Sequence, residues 1–146
     1  MPTSQSSPHL TWALLLMATF GALLGGWWFF KPSYDISYHT IPGCPQPLTS
    51  LMVSQVGHDR GLYLIAGRYA ATEPPTQDYV YMGDLSGFDA SFQCVVTCEN
   101  GRLIVNHYEA SLKPRPDSGR LTSRRLYSED WSKLRASGQG TLLEFF

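Results

Sequence analysis

The sequence predicts an α+β protein: one N-terminal transmembrane helix, then a small domain with a mostly antiparallel β-sheet and a short C-terminal helix. Three observations carry this expectation. Leu10 to Phe30 passes without one charged side chain. Beyond it, short runs of alternating apolar and polar residues are punctuated by Pro, Gly and Asn, the pattern of half-buried strands. Only from Glu129 to Ala136 does the spacing of apolar residues turn helical. The chain divides accordingly into a disordered polar tail over 1–9, a spanning helix over 10–30 and a single domain over 31–146.

At about 1.5 Å per residue, the segment 10–30 is just long enough for a hydrocarbon core of roughly 30 Å. A buried globular helix is rarely apolar on every face. The leader MPTSQSSPH has no Lys or Arg, and Trp27, Trp28, Phe29 and Phe30 stand where cleavage by a signal peptidase needs small residues. The segment therefore reads as a retained signal anchor. Cys44 follows too late, in the Pro-rich run IPGCPQP, to be a lipid-bearing cysteine. Small residues at Ala18, Gly21, Ala22, Gly25 and Gly26 include the spacing Gly21-x-x-x-Gly25, which lets a second helix backbone approach closely. The partners expected are membrane lipid and, through this face, other transmembrane proteins or a second copy. Trp27, Trp28 and Lys31 mark the membrane interface.

Lys31 alone votes for a cytoplasmic domain. Three cysteines in a short, aromatic-rich domain favour an oxidising compartment and outweigh a single lysine. No N-x-Ser/Thr site is present and Arg outnumbers Lys, both of which suit a bacterial periplasm. The expected location is the cell inner membrane, single-pass, with the C-terminal domain periplasmic.

Taken in order, Asp35 to Ile41 alternates as a first strand, and Pro42, Pro45 and Pro47 hold Cys44 in an extended turn. Leu48 to Val56 and Leu62 to Tyr69 read as a hairpin around Gly57-His58-Asp59-Arg60-Gly61. Thr72 to Gln77 contains Pro74-Pro75 and reads as loop. Asp78 to Met82 is a short aromatic strand closed by the turn-rich GDLSGFDA. The strongest local signal is Asn100-Gly101 between Ala90–Glu99 and Arg102–Ala110, because a type I′ turn needs this pair. With Glu99 opposite Arg102, the cross-strand pairs are Cys98 with Leu103, Val96 with Val105, and Cys94 with His107. One face then carries Phe92, Cys94, Val96, Cys98, Leu103 and Val105, the expected core face. Lys113 to Arg125 reads as a basic Pro/Gly/Ser-rich connection. Ser128 is the expected cap of the C-terminal helix, whose Trp131 and Leu134 face inward, and Gly138 ends it. Thr141 to Phe146 closes the chain as an apolar strand.

Cys94 and Cys98 sit four apart on one strand, hence about 13 Å apart, beyond the roughly 7 Å a disulfide spans. Cys44 is left to bridge Cys94 or Cys98. A metal site at Cys94 and His107 lacks the short Cys-x-x-Cys knuckle of zinc sites, and none is expected. His107 reads instead as a core-edge histidine. Gly83-Asp84-Leu85-Ser86-Gly87 has its serine one position late for a nucleophile elbow. Ser54, His58 and Asp59 read as loop polarity. No catalytic residue and no cofactor is expected.

A net charge of −1 gives no basis for a nucleic-acid partner. The charge is uneven, however. Glu73, Asp78, Asp84, Asp89 and Glu99 form an acidic stretch, and Lys113, Arg115, Arg120, Arg124 and Arg125 begin a basic one. Either the two face each other or the basic stretch meets a partner.

Phe92-x-Cys94 followed by Cys98-Glu99-Asn100-Gly101-Arg102-Leu103-x-Val105 resembles a hairpin of the small membrane-bound lysozyme inhibitors, which are periplasmic β-barrels. The likeness is confined to this hairpin and assigns no residue a role. The function expected is a membrane-anchored interaction module, an accessory or assembly subunit of an envelope complex. The alternative is an anchored inhibitor or immunity protein against an envelope-directed enzyme or toxin, and a redox or metal carrier ranks behind both.

Overall fold

A computed structural model describes residues 8–55, 60–70, 73–85, 91–108 and 119–146. Residues 1–7 of the expected tail, the Gly57-His58-Asp59 turn, Ser86 to Ala90, Lys113 and Arg115 lie outside them, while Pro8 and His9, expected in the tail, begin the first helix. The chain forms two units, 1–32 and 33–146. In the first, α1 (Pro8–Phe29) is one uninterrupted apolar helix with no buried residue, long and apolar enough to cross a membrane. Thr19, a polar residue within it, turns its hydroxyl back onto the carbonyls of Leu15 and Leu16 at 3.0 Å, so its hydrogen-bonding need is met inside the helix.

The second unit is α+β, built on two four-stranded sheets where the sequence led us to expect one. The first has the order β1-β2-β3-β4 and is antiparallel throughout. Its strands are β1 (Ser33–His39), β2 (Leu48–Ser54), β3 (Arg60–Ala66) and β4 (Tyr79–Leu85). The second has the order β7-β6-β5-β8, from β5 (Phe92–Glu99), β6 (Arg102–His107), β7 (Leu121–Arg125) and β8 (Thr141–Phe145). Helix α2 (Ser128–Ser137) joins β7 to β8. Alternation along each strand divides the side chains between two faces. Leu48, Leu62, Leu64, Ala66, Val80 and Met82 from the first sheet meet Phe92, Cys94, Val96, Leu103, Val105, Leu121, Leu143 and Phe145 from the second in one core.

The β5–β6 hairpin has the expected register, with Cys94 opposite His107 and Cys98 opposite Leu103. Asn100 and Gly101 both take positive φ, 53° and 76°, as the two central residues of a type I′ turn do. Several expectations need correction. Gly83 to Leu85 and Arg60-Gly61, expected in turns, extend β4 and β3, because the two strands pair through them. Leu121 to Arg125 is a strand, parallel to β6: Leu121 is fully buried, and its place in the core overrides the loop-like composition around it. Ser128 is the first helical residue instead of the cap; Tyr127 occupies that position in an extended conformation without a side-chain bond. The third strand stops at Ala66, because Gly67 at φ 90° turns the chain back over the sheet. His107 is 1% exposed, fully inside the core beside the ring of Phe92, not at its edge.

Candidate interaction surface

Among the described residues, three faces and grooves stand out as surfaces that could meet a partner. Along α1, Ala18, Gly21, Ala22, Gly25 and Gly26 leave the backbone uncovered: a Cβ placed at Gly21, Gly25 or Gly26 would meet nothing within 4 Å. Beside Ala22 and Gly26, Trp27 and Phe30 wall a shallow groove of about 520 Å³. Lys31 lies 5.2 Å from the ring centre of Trp28, a cation–π pair formed by two of the three residues expected at the membrane interface.

The second surface is the outer face of the first sheet. Because side chains alternate, the register that turns Leu48, Leu62, Leu64 and Val80 into the core turns Tyr34, Ile36, Tyr38, Leu51, Val53, Tyr63, Ile65, Tyr79 and Tyr81 the other way. Tyr63 anchors this layer, 4.7 Å from Tyr81 and 5.8 Å from Tyr79 between ring centres. Beneath the rings, Leu51 and Ile65 are buried. The segment after Gly67 crosses one end of the face: Thr49 donates to the Gly67 carbonyl at 2.6 Å and accepts from the Tyr69 amide, and the Tyr38 hydroxyl donates to the Tyr69 carbonyl. Tyr34, Ile36, Val53, Tyr63, Tyr79 and Tyr81 stay half-buried, and Tyr38 is exposed beneath the guanidinium of Arg68. Aromatic groups held rigidly with a polar tip in water make strong contact surfaces at low entropic cost.

The third is a groove of about 500 Å³, lined by Thr97, Glu99, Asn106 and Arg124 from the second sheet and by Asp130 and Leu134 from α2. Buried Asn106 donates to the Val95 carbonyl and the Thr97 hydroxyl, each at 3.0 Å. Arg124 grips Glu99 with two parallel bonds of 2.9 and 2.8 Å. Those bonds hold the Glu99 carboxyl below the usual carboxylate range and raise the Arg124 guanidinium. Two of the three charged side chains that line the groove, Arg124 and Glu99, are thus matched to each other.

Two ion pairs join the uneven stretches. Arg120 pairs with Asp78, and Arg124 with Glu99, so acidic and basic stretches meet across the fold. Arg125 is exposed. Cys44 bridges Cys98, tying the β1–β2 connection to β5, while Cys94 stays a buried thiol whose pKa burial pushes up to about 12. Among the described residues no group of three His, Cys, Asp or Glu could hold a metal ion. The tyrosine layer is the feature that sequence reasoning missed. Its signal was present as aromatics an even number of positions apart, Tyr34 with Tyr38 and Tyr79 with Tyr81, but a single-sheet expectation gave them no common face.

Fold and surfaces together define a class: a two-sheet α+β domain carried behind one membrane-spanning-length helix. No protein-family model, curated protein or solved structure matches this chain.

Proposed function

We propose that this chain is a single-pass anchored interaction module, an accessory or assembly subunit of an envelope membrane complex, with its domain in the periplasm. One observation carries the reading. A sheet whose inner face already supplies the core also holds five tyrosines on its outer face, one exposed and four half-buried. Apolar and aromatic surface kept at the solvent boundary has a use in recognition. The open small-residue face of α1 supports a second contact within the membrane, and the Cys44–Cys98 bridge supports an oxidising compartment. Photo-crosslinking groups placed at Tyr63 and Tyr81 of the full chain, in membranes of its own cell, should capture a discrete protein that a probe at exposed Glu129 does not. Identical patterns at all three positions would remove the reading. The inhibitor alternative is separated by exchanging residues 10–30 for an unrelated spanning segment: a subunit loses its complex, whereas an inhibitor keeps working.

A further inference from the structure

Strand β1 is an edge of the first sheet and pairs only with β2 among the described residues. An edge strand offers a row of unpaired backbone N–H and C=O groups, and proteins guard such edges with Pro, Lys, bulges or very short strands. β1 has no Pro, Lys or bulge and is not short; its one charged guard is Asp35 on the inner face, which the pairing below sets against a hydroxyl. Its seven residues, SYDISYH, run in unbroken register from Ser33 to His39. Asp35, its one acidic residue, lies on the face opposite the tyrosines and is exposed.

We propose that this edge binds a second copy of the chain, β1 against β1 in antiparallel sense, with the two-fold axis at Ile36. The strand is self-complementary about that residue. Ile36 then faces Ile36 of the second copy, while Tyr34 faces Tyr38 of the second copy and Tyr38 faces its Tyr34, all on the tyrosine face. Aromatic and β-branched pairs opposite one another are favourable across antiparallel strands. On the other face Asp35 meets Ser37 of the second copy, so the acid faces a hydroxyl instead of its own counterpart. Ser33 and His39 close the two ends. The outcome is one continuous eight-stranded sheet, and the tyrosine layer crosses the junction without a break.

Two seven-residue strands bury less than the roughly 1,200 Å² of a standard interface. Pairing therefore needs both chains confined to one membrane, where tethering raises their effective concentration. In that respect alone the inference rests on the proposed function, whose partner on the tyrosine face is a separate matter.

The full chain, reconstituted in lipid vesicles, tests this by oxidative crosslinking. Ile36→Cys should form a covalent dimer. Tyr34→Cys and Tyr38→Cys should crosslink when mixed and stay monomeric separately, because like positions lie about 13 Å apart in this register. Ile36→Lys, which opposes two lysines at the axis, should lower the mixed-pair yield by about fivefold or more. Equal crosslinking by Tyr34→Cys alone and by Ile36→Cys would overturn the pairing, as would an Ile36→Lys yield that does not change. An alkaline carbonate wash of the same vesicles separates the two claims. A retained chain with no Ile36→Cys dimer overturns the pairing alone; a released chain overturns both the anchor and the pairing that depends on it.

Discussion

Replacing Cys98 with Ser should destabilise the domain strongly. The bridge from Cys44 spans 54 residues of sequence and ties a connection in the first sheet to a strand of the second. Closing a loop of that size removes unfolded-chain entropy worth about 4 kcal/mol at 25 °C on the chain-entropy relation. For a domain of this length, with an unfolding entropy of about 0.24 kcal/mol/K, that loss corresponds to a fall in Tm of roughly 15 °C. The assay is near-ultraviolet circular dichroism of the full chain in detergent, which follows the Tyr and Trp packing of the domain. Cys44→Ser should give the same fall, reductant should reproduce it in the unmodified chain, and the double variant should add nothing further. Cys94→Ser acts differently: it buries a hydroxyl in the core, costing about 1–3 kcal/mol, and leaves the response to reductant intact. Alkylation under denaturing, non-reducing conditions should label Cys94 alone. A reductant-induced shift smaller than about 2 °C would refute the stapling role.

Gly140 precedes β8 at φ 80°, and a Cβ there would lie 2.7 Å from the Val96 carbonyl oxygen and 2.8 Å from Thr97 Cγ2. Gly140→Ala should therefore cost about 2–4 kcal/mol by thermal denaturation, since backbone cannot give way. Gly101→Ala has open space and should cost only the left-handed strain, about 1–2 kcal/mol. His39 sits against Ser50 Oγ at 2.9 Å and the edge of Phe145, and burial lowers its pKa from the ordinary 6.5. On acidification the unfolded chain takes this proton first, so the stability His39 contributes is complete above about pH 6.5 and is lost as pH falls through its folded value. Tm should accordingly drop more steeply between pH 7 and 5 in the unmodified chain than in His39→Gln. Glu99→Gln should lower stability at pH 7 by less than about 1 kcal/mol, because both partners of its pair with Arg124 are about half exposed. The depressed Glu99 carboxyl makes that difference disappear as pH falls through its folded value.

Elements with a local cause were legible in the sequence. Asn100-Gly101 dictates its own turn and thereby the register of Cys94, Val96 and Cys98, so the core face of β5 and β6 followed from counting. The charge-free run that became α1 needed only composition and length. What escaped was set by distant partners. Leu121 to Arg125 lies in a polar, basic stretch and becomes a strand because β6 offers its edge and the core a place for Leu121. Division into two sheets depends on which strands pair, which no single strand encodes. The cysteine choice is of the same kind: two candidates share one face of β5, and Cys98 wins because the Cys44 turn lies at that end of the strand, with Cα atoms 5.4 Å apart. The tyrosine layer became visible only when β1, β2, β3 and β4 were set side by side.

Everything proposed for the domain presupposes that α1 sits in lipid. Alkaline carbonate extraction of membranes from cells making the full chain tests this directly. The protein should remain in the pellet with integral markers, and replacing Leu15 and Leu23 with Arg, at about 2.5–3.5 kcal/mol of insertion cost for each near the helix centre, should release it. Recovery of the unmodified chain in the supernatant would contradict the anchor.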